Sequence, residues 1–403
     1  MALNVETATA VPAASIYALP LALGRGLRCG RLALELPDGD SYVFEGDGPG
    51  PQAALTILRP RFVRRLLTGG ATGFAEAYIE GDCETPDLLA VIELAALNHD
   101  VWEQVLRGRL LFRAMQRAWH SLRPNTRRGA QRNIAHHYDL GNDFYRPWLD
   151  PDMIYSAAIF DTPEQPLEDA QDRKFRHIAR LAELQPGQHV LEIGCGWGGF
   201  AIFAAREIGC RVTAITISEE QFAHAAARIQ REGLGDRIEL RLQDYRDLAR
   251  QYDRIVSIEM LEAVGEAYWP LFFEKLRGSL APGGQAALQV ITIADELWDG
   301  YRRSTDFIQR YIFPGGLLPS RDALRVQVAR ADLAWDADHA YGVDYARTLN
   351  HWRRRFESAE AELAAQGFDE RFRRMWRYYF CYCEAGFKTG RIDVRQIGLS
   401  RSR

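Results

Sequence analysis

Between Arg173 and Ile293 the chain alternates β-rich runs with helical ones, and this alternation restricts the fold more than any other feature. Phe175 to Leu184 has helical spacing, His189-Val-Leu-Glu-Ile reads as a strand, Gly199 to Ile208 as a helix, and Cys210-Arg-Val-Thr-Ala-Ile-Thr as a strand. Glu219 to Glu232 is again helical, and the runs 237–242, 254–258 and 285–291 supply three more strands. Strands separated by helices are joined by crossovers, so they lie parallel with helices on both faces. The expected fold class is α/β, a doubly wound and mostly parallel sheet.

A length of 403 residues calls for two or three domains. Leu21 to Asp100 reads as a small α+β module. Its strands are Arg31-Leu-Ala-Leu-Glu-Leu, Ser41-Tyr-Val-Phe-Glu and Ala54-Leu-Thr-Ile-Leu, and helical spacing follows from Arg61 and from Asp87. The expected boundaries are a tail over 1–19, the α+β module over 20–105, a basic linker helix over 106–132, the α/β domain over 133–394, and a second tail over 395–403. Fifty Lys and Arg against 54 Asp and Glu leave a net charge of -4, which provides no global field to recruit nucleic acid. No apolar run reaches the roughly 18 to 20 residues that cross a bilayer, and the N-terminus does not read as a signal peptide, so a cytoplasmic location is expected. The six cysteines form no C-x-x-C pair, which points to reduced thiols and no metal.

Eight arginines, at 107, 109, 113, 117, 123, 127, 128 and 132, stand with no acidic residue among them and with Leu110, Leu111, Phe112, Met115 and Trp119 interleaved. Such a segment either packs as a linker helix or lies on an anionic membrane, each cation near the surface contributing about 1 kcal/mol.

A glycine-rich turn, Val190-Leu-Glu-Ile-Gly-Cys-Gly-Trp-Gly-Gly-Phe200, joins the first strand of the sheet to its helix, where the backbone can approach a ligand closely. A dinucleotide site would need an acid at the end of the next strand, and Ala214-Ile-Thr-Ile-Ser218 has none. The acid comes before the glycines, as Glu192, giving E-x-G-x-G-x-G. This form resembles the S-adenosylmethionine loop of class I methyltransferases. Asp244 and Tyr245, at the end of a later strand, are candidates for hydrogen bonding and stacking with an adenine; the alternative is a strand-terminating acid and a core tyrosine.

Six motifs then occur in order: 133–145 (NIAHHYDLGNDFY), 153–160 (MIYSAAIF), 191–198 (LEIGCGWG), 216–221 (TISEEQ), 243–247 (QDYRD) and 311–316 (YIFPGG). Together they closely resemble the cyclopropane-fatty-acyl-phospholipid synthase family, from about Arg128 to Phe387. The N-terminal module resembles that of bacterial members and has a sterol-carrier-like, lipid-binding look. The resemblance implies a class I methyltransferase sheet with helical insertions. It also implies transfer of a methyl group from S-adenosylmethionine to a cis double bond in an unsaturated membrane phospholipid, closing a cyclopropane ring. The cofactor is expected on Gly194, Gly196 and Gly198 with Glu192, with Thr216 and Gln221 on the ribose, Asp244 and Tyr245 at the adenine, and Tyr155 and Ser156 at the methionine end. Peripheral association with anionic membrane is expected, and a homodimer is left open.

In the family a bicarbonate ion is thought to serve as base, held by a cysteine, a glutamate, a histidine, a tyrosine and a backbone amide. By motif these positions are Ala157, Glu262, Gln289, Tyr345 and the amide of Ile291, so two of the five are changed and anion binding is expected to weaken. The changed site brings in an alternative, a methyl- or methylene-branched product. Glu259, where relatives usually carry a small residue, adds a second carboxylate that would serve as a base, repel an anion, or be a surface acid paired with an arginine. Glu262 is expected to matter most to the chemistry. His136 and His137 fall in a motif resembling the family's lid, with no metal expected. Two further readings are a small-molecule N-methyltransferase and a lipid-binding protein that has lost activity.

Overall fold

The computed structural model describes residues 16–106 and 140–402, and main chain only over 103–106. The basic segment 107–132 and the histidine pair at 136 and 137 therefore lie outside the described residues. The chain divides into two compact units.

The first unit holds the N-terminal module. Strands β1 (Cys29–Glu35), β2 (Ser41–Glu45), β3 (Gly48–Ile57) and β4 (Cys83–Glu84) form a sheet in the order β2-β1-β3-β4. β1 and β3 are parallel, while β2 and β4 pair antiparallel. Asp87 starts the Leu88–Leu97 helix by accepting the Ala90 amide at 3.0 Å. A distant piece of sequence completes this unit. The Glu370–Lys388 helix buries Arg374, which donates to Tyr78 O (2.7 Å), Cys83 O (3.1 Å) and the Glu84 carboxylate (2.7 Å) while lying 4.2 Å over the Tyr78 ring. The expected continuous domain over 133–394 is thus corrected, since residues 360–389 belong with the N-terminal module. A buried guanidinium needs fixed acceptors, and the N-terminal module supplies them at Tyr78, Cys83 and Glu84.

The second unit is a seven-stranded sheet in the order β10-β11-β9-β8-β5-β6-β7. Its strands are β5 (His189–Ile193), β6 (Arg211–Thr216), β7 (Ile238–Leu242), β8 (Tyr252–Ile258), β9 (Leu280–Ile293), β10 (Ala334–Ala340) and β11 (Ile392–Ser400). β5 to β9 run parallel, with one buried apolar cluster around Val190, Phe200 and Val212 and another around Leu191, Phe272 and Leu288. The helix read over 175–184 is displaced to Leu167–Leu181.

The expected C-terminal tail, 395–403, is also corrected. β11 inserts antiparallel between β9 and β10, with Gln396 and Ile397 both fully buried. Its text is polar because buried Gln396 bonds to Gln289 and half-buried Arg395 pairs with Asp338, so these side chains make hydrogen bonds rather than apolar contacts. After β5 the chain goes to β6 and β7 on one side, then returns to β8 and β9 on the other. Ligands of open α/β sheets bind at the carboxyl edge of such a switch point.

Candidate active site

The β5–β6 side of that edge is built by local sequence. Gly194 has φ +81, and a Cβ there would stand 2.7 Å from Met260 Cγ, so only glycine fits. Gly196 has φ +53, yet a Cβ would meet nothing within 4 Å. Its main chain thus faces open space, as a ligand cradle requires. Gly198 follows at the entrance to the Gly199–Phe203 helix. Thr216, at the end of β6, donates to Gln221 Oε1 at 3.0 Å, and both are buried. Asp244 accepts from the amide and side chain of Arg246 at 2.6–2.9 Å. The Tyr245 ring packs edge-on against Phe272 at 5.5 Å, and burial pushes its hydroxyl up to about 12. This position is nearer to the expected core tyrosine than to a free stacking face.

The β8–β9 side carries the carboxylates. Glu259 follows the end of β8 with φ +50, a left-handed conformation that costs a non-glycine residue roughly 1–2 kcal/mol. Its Oε1 accepts from the Ala157 amide (2.8 Å) and from Gln289 Nε2 (2.7 Å), and its Oε2 accepts from the Tyr345 hydroxyl (2.6 Å). The reading of Glu259 as a surface acid paired with an arginine is therefore overturned. Glu262 lies in the next turn, with Oε1 accepting from Ile291 N at 2.5 Å and Oε2 buried without a partner.

Lys174 is fully buried on the Leu167–Leu181 helix and donates to Ser156 Oγ at 2.7 Å. Burial lowers it to about 8, opposed by Glu259, Asp150 and Glu192. Burial raises Glu192 to about 8, opposed by Lys174. Glu262 rises to about 8 through burial and then through repulsion by Glu259. Glu259 also rises by burial, opposed by its bonds to Tyr345, Ala157 and Gln289 and by Lys174. One buried cation among several carboxylates favours ionising one of them, and Glu259 has the most donors.

A wall of aromatic rings stands at this site. The Tyr155 ring lies 5.2 Å from Trp352, 5.5 Å from Trp148 and 5.7 Å from Tyr145, and Trp352 is 6.0 Å from Tyr345. Ring faces attract a cation and exclude water. Trp352, Trp148, Lys174 and Gln396 were not singled out from sequence. Lys174 had a signal: it interrupts the buried stripe Leu167, Ala170, Gln171, Phe175, Ile178, where a charge needs a reason.

The model for mycolic acid cyclopropane synthetase matches residues 125–397. The chain belongs to that family. It is 41% identical to tuberculostearic acid methyltransferase UfaA1 of Mycobacterium tuberculosis, over 86% of this chain and 83% of that protein. It is 35% identical to the cyclopropane-fatty-acyl-phospholipid synthase of Escherichia coli, over 92% and 93%. The solved structure of mycolic acid cyclopropane synthase CmaA1, complexed with SAH and CTAB, superposes with a TM-score of 0.63 at 28% identity, covering 67% of this chain and 98% of that one.

As a member of the cyclopropane synthetase family, the chain is an S-adenosylmethionine-dependent methyltransferase with a class I fold. Its residues suit that cofactor. Open space lies before Gly196, and Glu192 Oε2 is buried without a partner near the same loop. Among the described residues, no helix is long and apolar enough to cross a membrane.

Proposed function

We propose that this cyclopropane synthetase family member methylates the cis double bond of unsaturated acyl chains in membrane phospholipids and closes a cyclopropane ring. S-adenosylmethionine, when bound, supplies an electrophilic methyl group. Of the expected cofactor residues, Gly194, Gly196, Gly198 and Glu192 would hold it at the β5 edge, with Thr216 and Gln221 beyond them. Asp244 would meet its adenine end and Tyr155 with Ser156 its methionine end. The observation that carries the reading is the carboxylate pair Glu259 and Glu262 beside the aromatic wall. Alkylating an alkene leaves a carbocation, which rings can steady and water would destroy. A base must then remove a proton from the new methyl group.

Incubating the protein with S-adenosylmethionine and vesicles of unsaturated phospholipid should add one CH2 to the acyl chains, and fragmentation should identify a ring. No mass gain would refute the assignment. A branched product is a second reading, favoured by Ala157 and Gln289 at the changed positions and by the name of the 41% identical relative. The same fragmentation separates the two.

The arginine run from 107 to 132 supports peripheral binding to anionic membrane, which would keep the enzyme beside a substrate that must leave the bilayer. Co-sedimentation with anionic liposomes should fall as salt rises and should weaken when four of these charges are reversed. Salt-insensitive binding would count against it.

A further inference from the structure

The donors present at the positions that the family resemblance assigns to a bicarbonate ion, including the main-chain amide of Ala157 where the cysteine is lost, are spent on side chains of this protein. The Ala157 amide, Gln289 Nε2 and the Tyr345 hydroxyl converge on Glu259, and the Ile291 amide meets Glu262. An added anion would have to break these bonds and then face two carboxylates. Bicarbonate does not fit these residues.

The geometry shows what stands in its place. A carboxylate offers about four lone-pair positions. Three of those on Glu259 take donors, two at Oε1 and one at Oε2, so one position on Oε2 is left to accept a proton. The donors are themselves oriented. Gln289 Oε1 accepts from Gln396 Nε2 at 2.7 Å, which turns the Gln289 amide nitrogen toward Glu259. Gln396 Oε1 in turn takes His177 Nδ1 at 2.6 Å, and His177 Nε2 lies 2.8 Å from the Tyr341 hydroxyl. The chain of donors points inward and ends on an acceptor, the arrangement an ionised Glu259 requires. Glu262 takes main-chain donors alone and keeps an unpartnered buried Oε2, which suits the neutral member of a pair sharing one proton.

We propose that Glu259 is the built-in base of this enzyme, a covalently attached carboxylate doing the work of a bound bicarbonate. The idea rests on the lipid-methylation reading above. In the step assigned to it, a C–H electron pair of the new methyl group becomes the second ring bond. The cation on the neighbouring acyl carbon is thereby quenched, and the proton passes to Glu259 Oε2. The neutral carboxyl returns that proton to water when product leaves.

The test uses the full chain, S-adenosylmethionine and unsaturated phospholipid vesicles. Wild-type turnover should agree within about twofold in buffer stripped of carbon dioxide and in buffer with added bicarbonate. A fall of tenfold or more on stripping would overturn the proposal. Glu259→Gln keeps the shape and removes the base, so turnover should fall by about a hundredfold or more while calorimetry shows unchanged S-adenosylmethionine affinity. Normal turnover by this variant would also overturn it. If the variant does not fold, the bicarbonate response of wild type decides alone. A wild type that makes no lipid product at all would refute the underlying assignment, and is thereby distinguished from failure of the base.

Discussion

The two halves of the sheet edge are built by different means. At the β5–β6 half, the glycine loop and the Thr216–Gln221 pair come from short contiguous stretches, and main-chain geometry shapes the cradle. At the β8–β9 half, Glu259 is reached by partners 102, 30 and 86 residues away in sequence. A locally encoded site can pass between relatives with its motif. A site assembled from distant segments can change its chemistry through one residue, as the carboxylate at 259 does here.

This contrast is best broken at the glycine loop. Gly196→Val puts a branched side chain at φ +53 and into the open space before the loop, so S-adenosylmethionine affinity should fall by about a hundredfold or more. Calorimetry checks this. The carboxylate half should keep its pH behaviour in the same variant. Unchanged affinity would show that the cradle lies elsewhere.

Glu262 gives the second, smaller effect. In the folded protein it stands at about 8 against an ordinary 4.5. Between those values the native state holds a proton that the unfolded chain has lost. Its contribution to stability therefore falls as pH rises through that window, by up to about 1.4 kcal/mol per pH unit. Glu262→Gln should flatten this part of the stability profile in denaturant titrations from pH 5 to 8. With Glu259 as base, the same variant should lose only about tenfold in turnover, less than Glu259→Gln. The reverse ranking would restore Glu262 as the working carboxylate.

The smallest effect is expected at Gln396, which bonds to Gln289 and His177 and acts on Glu259 only through Gln289. Gln396→Leu leaves Gln289 Oε1 and His177 without their partner, at a cost of about 1–3 kcal/mol in stability. With Gln289 free to turn, turnover should drop a few-fold and the S-adenosylmethionine affinity should hold. Equal loss of both would mean that the strand supports the whole sheet edge rather than the carboxylate half.

Much of this was legible in the chain. Alternating β-rich and helical runs are set by side-chain periodicity, which is local, and they predicted β5 to β9. E-x-G-x-G-x-G with the acid-free end of β6 pointed to the cofactor before any geometry was known. The same text misled where burial is polar. β11 reads as a tail because Arg395 and Gln396 look like surface residues, and the Glu370–Lys388 helix gives no sign of which unit its Arg374 will enter.

The amino-acid sequence by itself determined the parallel sheet, the glycine loop and the methyltransferase family, since each depends on neighbouring residues and their backbone preferences. Only the tertiary structure decided the ownership of the donors at Ala157, Gln289 and Tyr345. Sequence placed those three around an anion and left Glu259 between base, repellent and surface acid. Folding brings the Ala157 loop, strand β9 and the Gly342–Ser358 helix within hydrogen-bond reach of one carboxylate, where burial makes every unpaired donor costly and the nearest acceptor wins.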